Sequence, residues 1–269
     1  MPVFTDQLGR KVELRNEAKR IVSLVPSQTE LLYDLGLEDE VAGITKFCIH
    51  PDIWYRNKTK LGGTKKLDLK KIRALKPDLI IANKEENLKS EIESLAEDFP
   101  VWISDVKKLQ DAFDMILAIG EMTGKNIKAR EIQNKINENF KMLPVAETKL
   151  RTAYLVWRKP YMLAGKDTFI DDMMQHAGFE NICNKLMPRY PVFWPGSFEL
   201  PGDFELLKCQ NILLSSEPFP FSKKHVKEFQ SLCPEANIQL VDGEMFSWYG
   251  SRLIKAPAYF EQLQLQSYL

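Results

Sequence analysis

The residues best suited to chemistry in this chain are aromatic, and arginines stand beside them. Phe246, Trp248 and Tyr249 lie between Gly243 and Gly250, with Arg252 just beyond. Trp157, Arg158 and Tyr161 form a second group, and Arg189, Tyr190 and Trp194 a third. Flat apolar area with a few fixed polar groups suits a large conjugated ligand, and guanidinium groups suit its carboxylates or phosphates. Aromatics near strand ends also pack into cores. The run from Asp242 to Gly250 is expected to be a loop, where core is least available.

Other groups have two readings each. Cys48 and His50 form a Cys-x-His pair, which suits metal ligation only if further ligands join it; otherwise His50 is a structural loop histidine. Adjacent Glu85 and Glu86 could act as an acid/base pair, but neighbouring carboxylates point apart on regular backbone, so a solvated loop or a charged rim is the competing reading. The chain has no GxSxG, HExxH, phosphate-loop or GxGxxG motif, and no nucleophile–base arrangement. The sequence therefore reads as a binder and not an enzyme, with no covalent cofactor and no metal site.

Composition narrows the partners. The 37 basic and 37 acidic residues balance, which argues against nucleic acid or an anionic membrane. Cys48, Cys183, Cys209 and Cys233 show no CxxC spacing, so free buried thiols in a reducing compartment are expected. The N-terminal stretch has no apolar leader, and no run reaches transmembrane length, so the chain as it stands reads as a cytoplasmic monomer.

The elements that must position these groups alternate. A hairpin is expected over Val3–Leu14, then strands at Arg20–Val25, Val41–Thr45, Leu79–Ala82 and Val101–Ile103. Helices are expected from Ser27 or Gln28 to Leu35, from the Asp68 cap to Lys76, from Leu88 to Asp98 and from Val106 to Met122. Gly124–Met142 then reads as one long helix with a stripe of Ile127, Ile132, Ile136 and Phe140; about 19 residues make a rod of roughly 28 Å. Beyond it the pattern restarts: strands at Arg151–Trp157, Asn211–Leu214 and Ile238–Val241, and helices at Asp167–Ala177, from Asp203, and from Ser251 onward with Pro257 near its middle or at a break. Three segments of the first half recur in order 131 to 137 positions later, which suggests two similar lobes. Ligands of open parallel sheets sit beyond the carboxyl ends of the strands. That rule selects Ser27, Phe47, His50, Thr64, Glu85 and Glu86 on one wall. It selects Trp157, Arg158, Arg189, Tyr190, Trp248, Tyr249 and Arg252 on the other.

The stretches RIVSLVPSQTELLYDLG, VAGITKF and LGGTKKLDLKKIRALKPDLIIA resemble the helical-backbone metal-chelate receptors, the substrate-binding proteins of ABC importers for cobalamin, haem and iron–siderophore complexes. The likeness is nearest to the cobalamin branch. It implies an α/β fold of two Rossmann-like lobes with mostly parallel sheets, residues 1–123 and 144–269, joined by a single backbone helix at 124–143. It also implies a corrinoid or other metal chelate held between the lobes, an ABC transporter permease as partner, and a periplasmic location. Carried over, Ser27, Phe47, Thr64 and the loop from Phe246 to Arg252 take wall positions. Thr64 stands where the cobalamin receptor has a tryptophan, and Lys70 where it offers a glutamate to its transporter. A cytosolic tetrapyrrole-handling protein or enzyme on the same scaffold is the alternative. A continuous joining helix resists bending, so only small lobe motions are expected.

Overall fold

The computed structural model describes residues 1–146, 148–183, 187–193 and 208–267. Among them the chain divides into two compact units. Unit 1 holds residues 1–106, 110–137 and 248–254; unit 2 holds 107–109, 138–247 and 255–269.

Unit 1 opens with an antiparallel hairpin of β1 (Val3–Thr5) and β2 (Lys11–Glu13). Its main sheet contains β3 (Ile21–Ser23), β4 (Val41–Ile44) and the short β5 (Thr59–Lys60). After the two-residue strands β6 (Gly62–Gly63) and β7 (Lys66–Leu67) come β8 (Leu79–Asn83) and β9 (Val101–Ser104). The order is β5-β4-β3-β8-β9, and every pairing is parallel. All five residues of β8 are buried, which explains why it reads as an unbroken apolar run and not as an alternating one. Helices α1 (Pro26–Asp34), α2 (Asp52–Asn57), α3 (Leu69–Leu75), α4 (Lys89–Ala96) and α5 (Leu109–Met122) connect the strands. Asp68 caps α3 as its sequence position predicts, accepting the Lys71 amide at 3.1 Å. Pro26 occupies the first turn of α1, where its missing N–H costs nothing.

The expected rod is α6 (Asn126–Met142). Its buried face is Ala129, Ile132 and Ile136; Ile127, expected in the stripe, is 78% exposed and points away from that face. The boundary between the units falls within α6, between Asn137 and Glu138. A tight turn at Gly124 (φ 70°) brings α6 back on α5, and the two helices meet where Gly120 faces Ala129.

Unit 2 has β10 (Leu150–Trp157), β11 (Tyr161–Leu163), β12 (Phe179–Asn181), β13 (Val192–Phe193), β14 (Asn211–Ser215) and β15 (Asn237–Val241). The order is β13-β11-β10-β14-β15, with β12 also beside β10. The strands matched by the internal repeat hold equivalent places: β3, β8 and β9 in one sheet, β10, β14 and β15 in the other. The units diverge at the next position, where β4 runs parallel to β3 but β11 returns antiparallel to β10. Helices α7 (Phe169–His176), α8 (Lys223–Leu232), α9 (Glu244–Ser247) and α10 (Ala256–Ser267) complete the unit. Thr168 caps α7, one residue after the expected start, and accepts the Asp171 amide at 3.1 Å. The expected closing helix is two pieces: a 3-10 turn at Ser251–Ile254 in unit 1, then α10 with Pro257 as its second residue. Trp194 and the helix start expected at Asp203 lie outside the described residues.

A Cβ at Gly120 would lie 2.4 Å from that of Ala129, so Gly120→Ala must push the two helices apart. We expect the variant to lose about 1–3 kcal/mol in urea denaturation, as overpacked contacts do.

Candidate functional site

In unit 1 the site residues are held by a hydrogen-bonded knot at the carboxyl ends of β3, β8 and β9. Asn83, the last residue of β8, accepts the amides of Glu85 at 2.8 Å and Glu86 at 3.0 Å on Oδ1. Its Nδ2 donates to Ser104 Oγ at 3.0 Å. Gln28 Nε2 also donates to Ser104 Oγ, at 2.7 Å. Asn87 accepts the Asn83 amide at 2.9 Å and donates to the carbonyls of Leu24 at 3.3 Å and Thr64 at 3.1 Å. One buried side chain thus joins the end of β3, the turn carrying Thr64 and the loop carrying Glu85 and Glu86. Neither asparagine stands out in the sequence except as part of a polar loop; the usable signal is an Asn at a strand end whose side chain bonds the next amides.

Above this knot sits Tyr249. Its hydroxyl faces Ser27 and Ser104, and Glu86 and Glu85 act on it electrostatically. Burial pushes the phenol well above its ordinary range, and Glu86 adds to the shift. Glu86 itself is raised by burial first, with Glu85 adding and Lys65 opposing. Lys65 donates to the carbonyl of Glu85.

The segment from Trp248 to Ile254 is anchored on α1. Arg252 donates through Nε and Nη2 to the two oxygens of Glu30, both at 2.8 Å. The guanidinium lies 4.7 Å from the Trp248 ring centre, and His50 meets the same ring edge-on at 5.5 Å. Gly250 sits so near that a Cβ would be 2.6 Å from the Ser27 carbonyl. Phe47 is 52% exposed and lies across Gly63, under the ammonium of Lys46 at 5.0 Å.

In unit 2, Trp157 ends β10 at 40% exposure, with the Phe219 ring 5.9 Å away. Arg158 binds Glu228 through Nε and Nη2 at 3.0 to 3.2 Å. Arg189 and Tyr190 are half-buried; Arg189 lines a cavity at the start of α7.

The structure therefore gathers Ser27, Thr64, Glu85, Glu86 and Tyr249 in one cluster, and His50, Trp248 and Arg252 in another, all within unit 1. Trp248 and Tyr249, read from the sequence as loop residues on the second wall, belong to unit 1 and are 5% and 7% exposed. Phe246 is wholly buried among Tyr154 and Phe260 in unit 2, because the supposed loop folds as the single turn α9. No group of three metal-ligating side chains occurs among the described residues.

A family model described as periplasmic binding protein matches residues 21–189. The uncharacterized ABC transporter substrate-binding lipoprotein YvrC of Bacillus subtilis is 27% identical over 186 residues, covering 64% of this chain and 58% of that protein. A vitamin B12-binding protein of Vibrio vulnificus is 28% identical over 182 residues, 64% of each. The match thus spans about three-fifths of these relatives. The fold is similar to that of the periplasmic vitamin B12 binding protein BtuF of Vibrio cholerae, with a TM-score of 0.78 at 19% identity over 94% of this chain and 98% of that one.

Two tests follow from the unit 1 cluster. Asn87→Ala would strip partners from three buried backbone groups, and each such orphan costs about 1–3 kcal/mol, so chemical denaturation should show a loss of at least about 2 kcal/mol. Glu86 has a folded pKa above its unfolded one, so its contribution is full below the ordinary carboxylate range and is lost as pH rises through the raised value. Glu86→Gln should therefore raise the melting temperature at pH 7, and the gain should vanish below about pH 4.

Proposed function

Starting from a chain that belongs to the periplasmic binding protein family, we propose that it is a substrate-binding protein for a metal chelate, working with an ABC importer. The observation that carries the reading is that each unit leaves one large aromatic exposed at the carboxyl end of a parallel strand: Phe47 after β4 and Trp157 at the end of β10. An exposed aromatic held by a rigid strand end offers a flat apolar face at little entropic cost. The same unit offers Thr64, Glu85, Glu86 and His50 as polar groups to fix orientation. In this reading the ligand is a corrinoid, haem or an iron complex, taken up without chemical change. Ser27 and Tyr249 support the wall from below, and Arg158 and Arg252 hold their loops through Glu228 and Glu30.

No helix among the described residues is long and apolar enough to cross a membrane. The importer reading places the protein outside the cytoplasm, with a separate permease. Fractionation of native cells should recover it there; recovery from the cytosol alone would remove the import role.

Isothermal titration with cyanocobalamin, haemin and a ferric hydroxamate should show one of them binding at micromolar or tighter Kd. Phe47→Ala and Trp157→Ala should each weaken that ligand about tenfold, the loss of one buried aromatic face. Binding of none of the three below high micromolar would defeat the proposal.

A further inference from the structure

We propose that a basic pocket in unit 2, at the start of α7, recognises the anionic group of a ligand, a carboxylate or a phosphate. The cavity has a volume of about 740 Å³. Lys107 and Lys108 reach it from the stretch before α5, Lys166 from the loop before α7, and Arg189 from the segment before β13. These are four cations from three chain segments. The described acids that line it are Asp167, Asp171 and Asp172, so cations exceed carboxylates.

The backbone builds this convergence. The Gly165 amide donates to the Arg189 carbonyl at 2.7 Å, and a Cβ on Gly165 would lie 2.8 Å from that oxygen and 2.7 Å from the Pro188 carbonyl. Only glycine lets the Arg189 segment come this close to Lys166. Asp167 holds a left-handed φ of 63°, which an aspartate tolerates better than most side chains. The turn sends its carboxylate to Lys107, at 2.9 Å.

The three acids differ in how firmly each is built into the wall. Asp171 is 6% exposed and takes Lys166 at 3.1 Å, Asn181 at 2.9 Å and Gln175 at 3.2 Å, so it is a fixed part of the wall. Asp172 accepts the Leu109 amide at 2.8 Å, and burial raises its pKa, which weakens its claim on a neighbouring cation. Asp167 is different. Its side chain is 58% exposed, and its pair with Lys107 is a surface ion pair, weakened by solvent and readily exchanged. The Lys107 hydrogen bond lowers its pKa, and Arg189 and Lys108 act on it as well, so three cations already aim at one displaceable carboxylate. A ligand carboxylate or phosphate in its place would meet the same cations, and guanidinium can bind either group with two parallel hydrogen bonds.

This sharpens the choice among the three arginines that the sequence offers. Arg158 and Arg252 each give Nε and Nη2 to a glutamate of their own unit. Arg189 lines the cavity together with Lys107, Lys108 and Lys166. The pocket itself stands without the metal-chelate reading; only the assignment of the anion to a chelate rests on it.

The test uses the full chain, titrated calorimetrically with pyrophosphate and with citrate against chloride at equal ionic strength. Saturable one-to-one binding of at least one of them is expected. Pyrophosphate stronger than citrate marks a phosphate site, and the reverse marks a carboxylate site. Arg189→Gln and the exposed Lys108→Glu should each weaken binding at least fivefold, with unchanged circular dichroism. Lys89→Glu, on α4 of unit 1, should have no effect. Binding no tighter than chloride, or an equal loss in Lys89→Glu, would overturn the pocket. A chelate that binds with the same affinity in Arg189→Gln and wild type would overturn the assignment of the anion to a chelate while leaving the chelate reading intact. Pyrophosphate or citrate bound here with every chelate rejected would support the pocket and sink the chelate reading instead.

Discussion

Past the last rung of a parallel sheet, the backbone still carries N–H and C=O groups but no strand remains to pair them. Left buried and unpaired, each costs as much as a lost hydrogen bond. In unit 1 that constraint is met by side chains. Asn83 and Asn87 between them bond Glu85, Glu86, Leu24, Thr64 and Ser104, and Gln28 adds a further bond to Ser104. The loops that could meet a ligand are the same ones that need this satisfaction. Their shape is therefore fixed by the sheet before any ligand is present, and unit 1 offers a preformed surface.

Unit 2 meets the same constraint with different residues. Tyr154 donates to Ser215 Oγ at 3.2 Å, Ser216 accepts the Gly243 amide at 2.9 Å, and Tyr259 accepts the Asp242 amide at 2.8 Å. Gly243 has no room for a side chain, since a Cβ would lie 2.3 Å from Ser215 Oγ. The strand order repeats between the units, but the polar residues that finish the sheet do not. The antiparallel return of β11 leaves Trp157 at a hairpin end, whereas the parallel β4 leads into a long loop bearing Phe47. One architecture thus presents two unlike surfaces.

This difference explains what the sequence could reveal. Buried runs such as LIIAN at β8 and NILLS at β14 announce themselves, because a strand covered on both faces has no polar alternation to hide it. Caps at Asp68 and Thr168 are local and nearly as readable. The short α2 is not legible, because six residues give too little periodicity, and its one fully buried side chain is Trp54. The aromatic run after Gly243 reads locally as a loop, and long-range partners decide otherwise. Phe246 is buried by Phe260 and Tyr154, and Trp248 by His50 and Arg252, partners that a local pattern cannot supply. The partners of two arginines are as remote: Glu30 lies 222 positions from Arg252, and Glu228 lies 70 from Arg158.

The Arg252–Glu30 pair carries a consequence beyond its own energy. Its side chains are 9% and 13% exposed, and at such burial the cost of desolvation offsets much of the attraction, so apolar residues of like volume would serve stability as well. What the pair adds is direction. A fork of two parallel hydrogen bonds admits one placement of the guanidinium on α1, and an apolar contact would admit several. Gly250 then sits against the Ser27 carbonyl, Trp248 lies between Arg252 and His50, and Tyr249 faces Ser27 and Ser104. A slip of one residue would take the phenol out of the strand-end knot and leave a buried hydroxyl without a suitable neighbour. The pair therefore acts as a register pin for the returning segment, and through Tyr249 it sets the floor on which Glu85 and Glu86 rest.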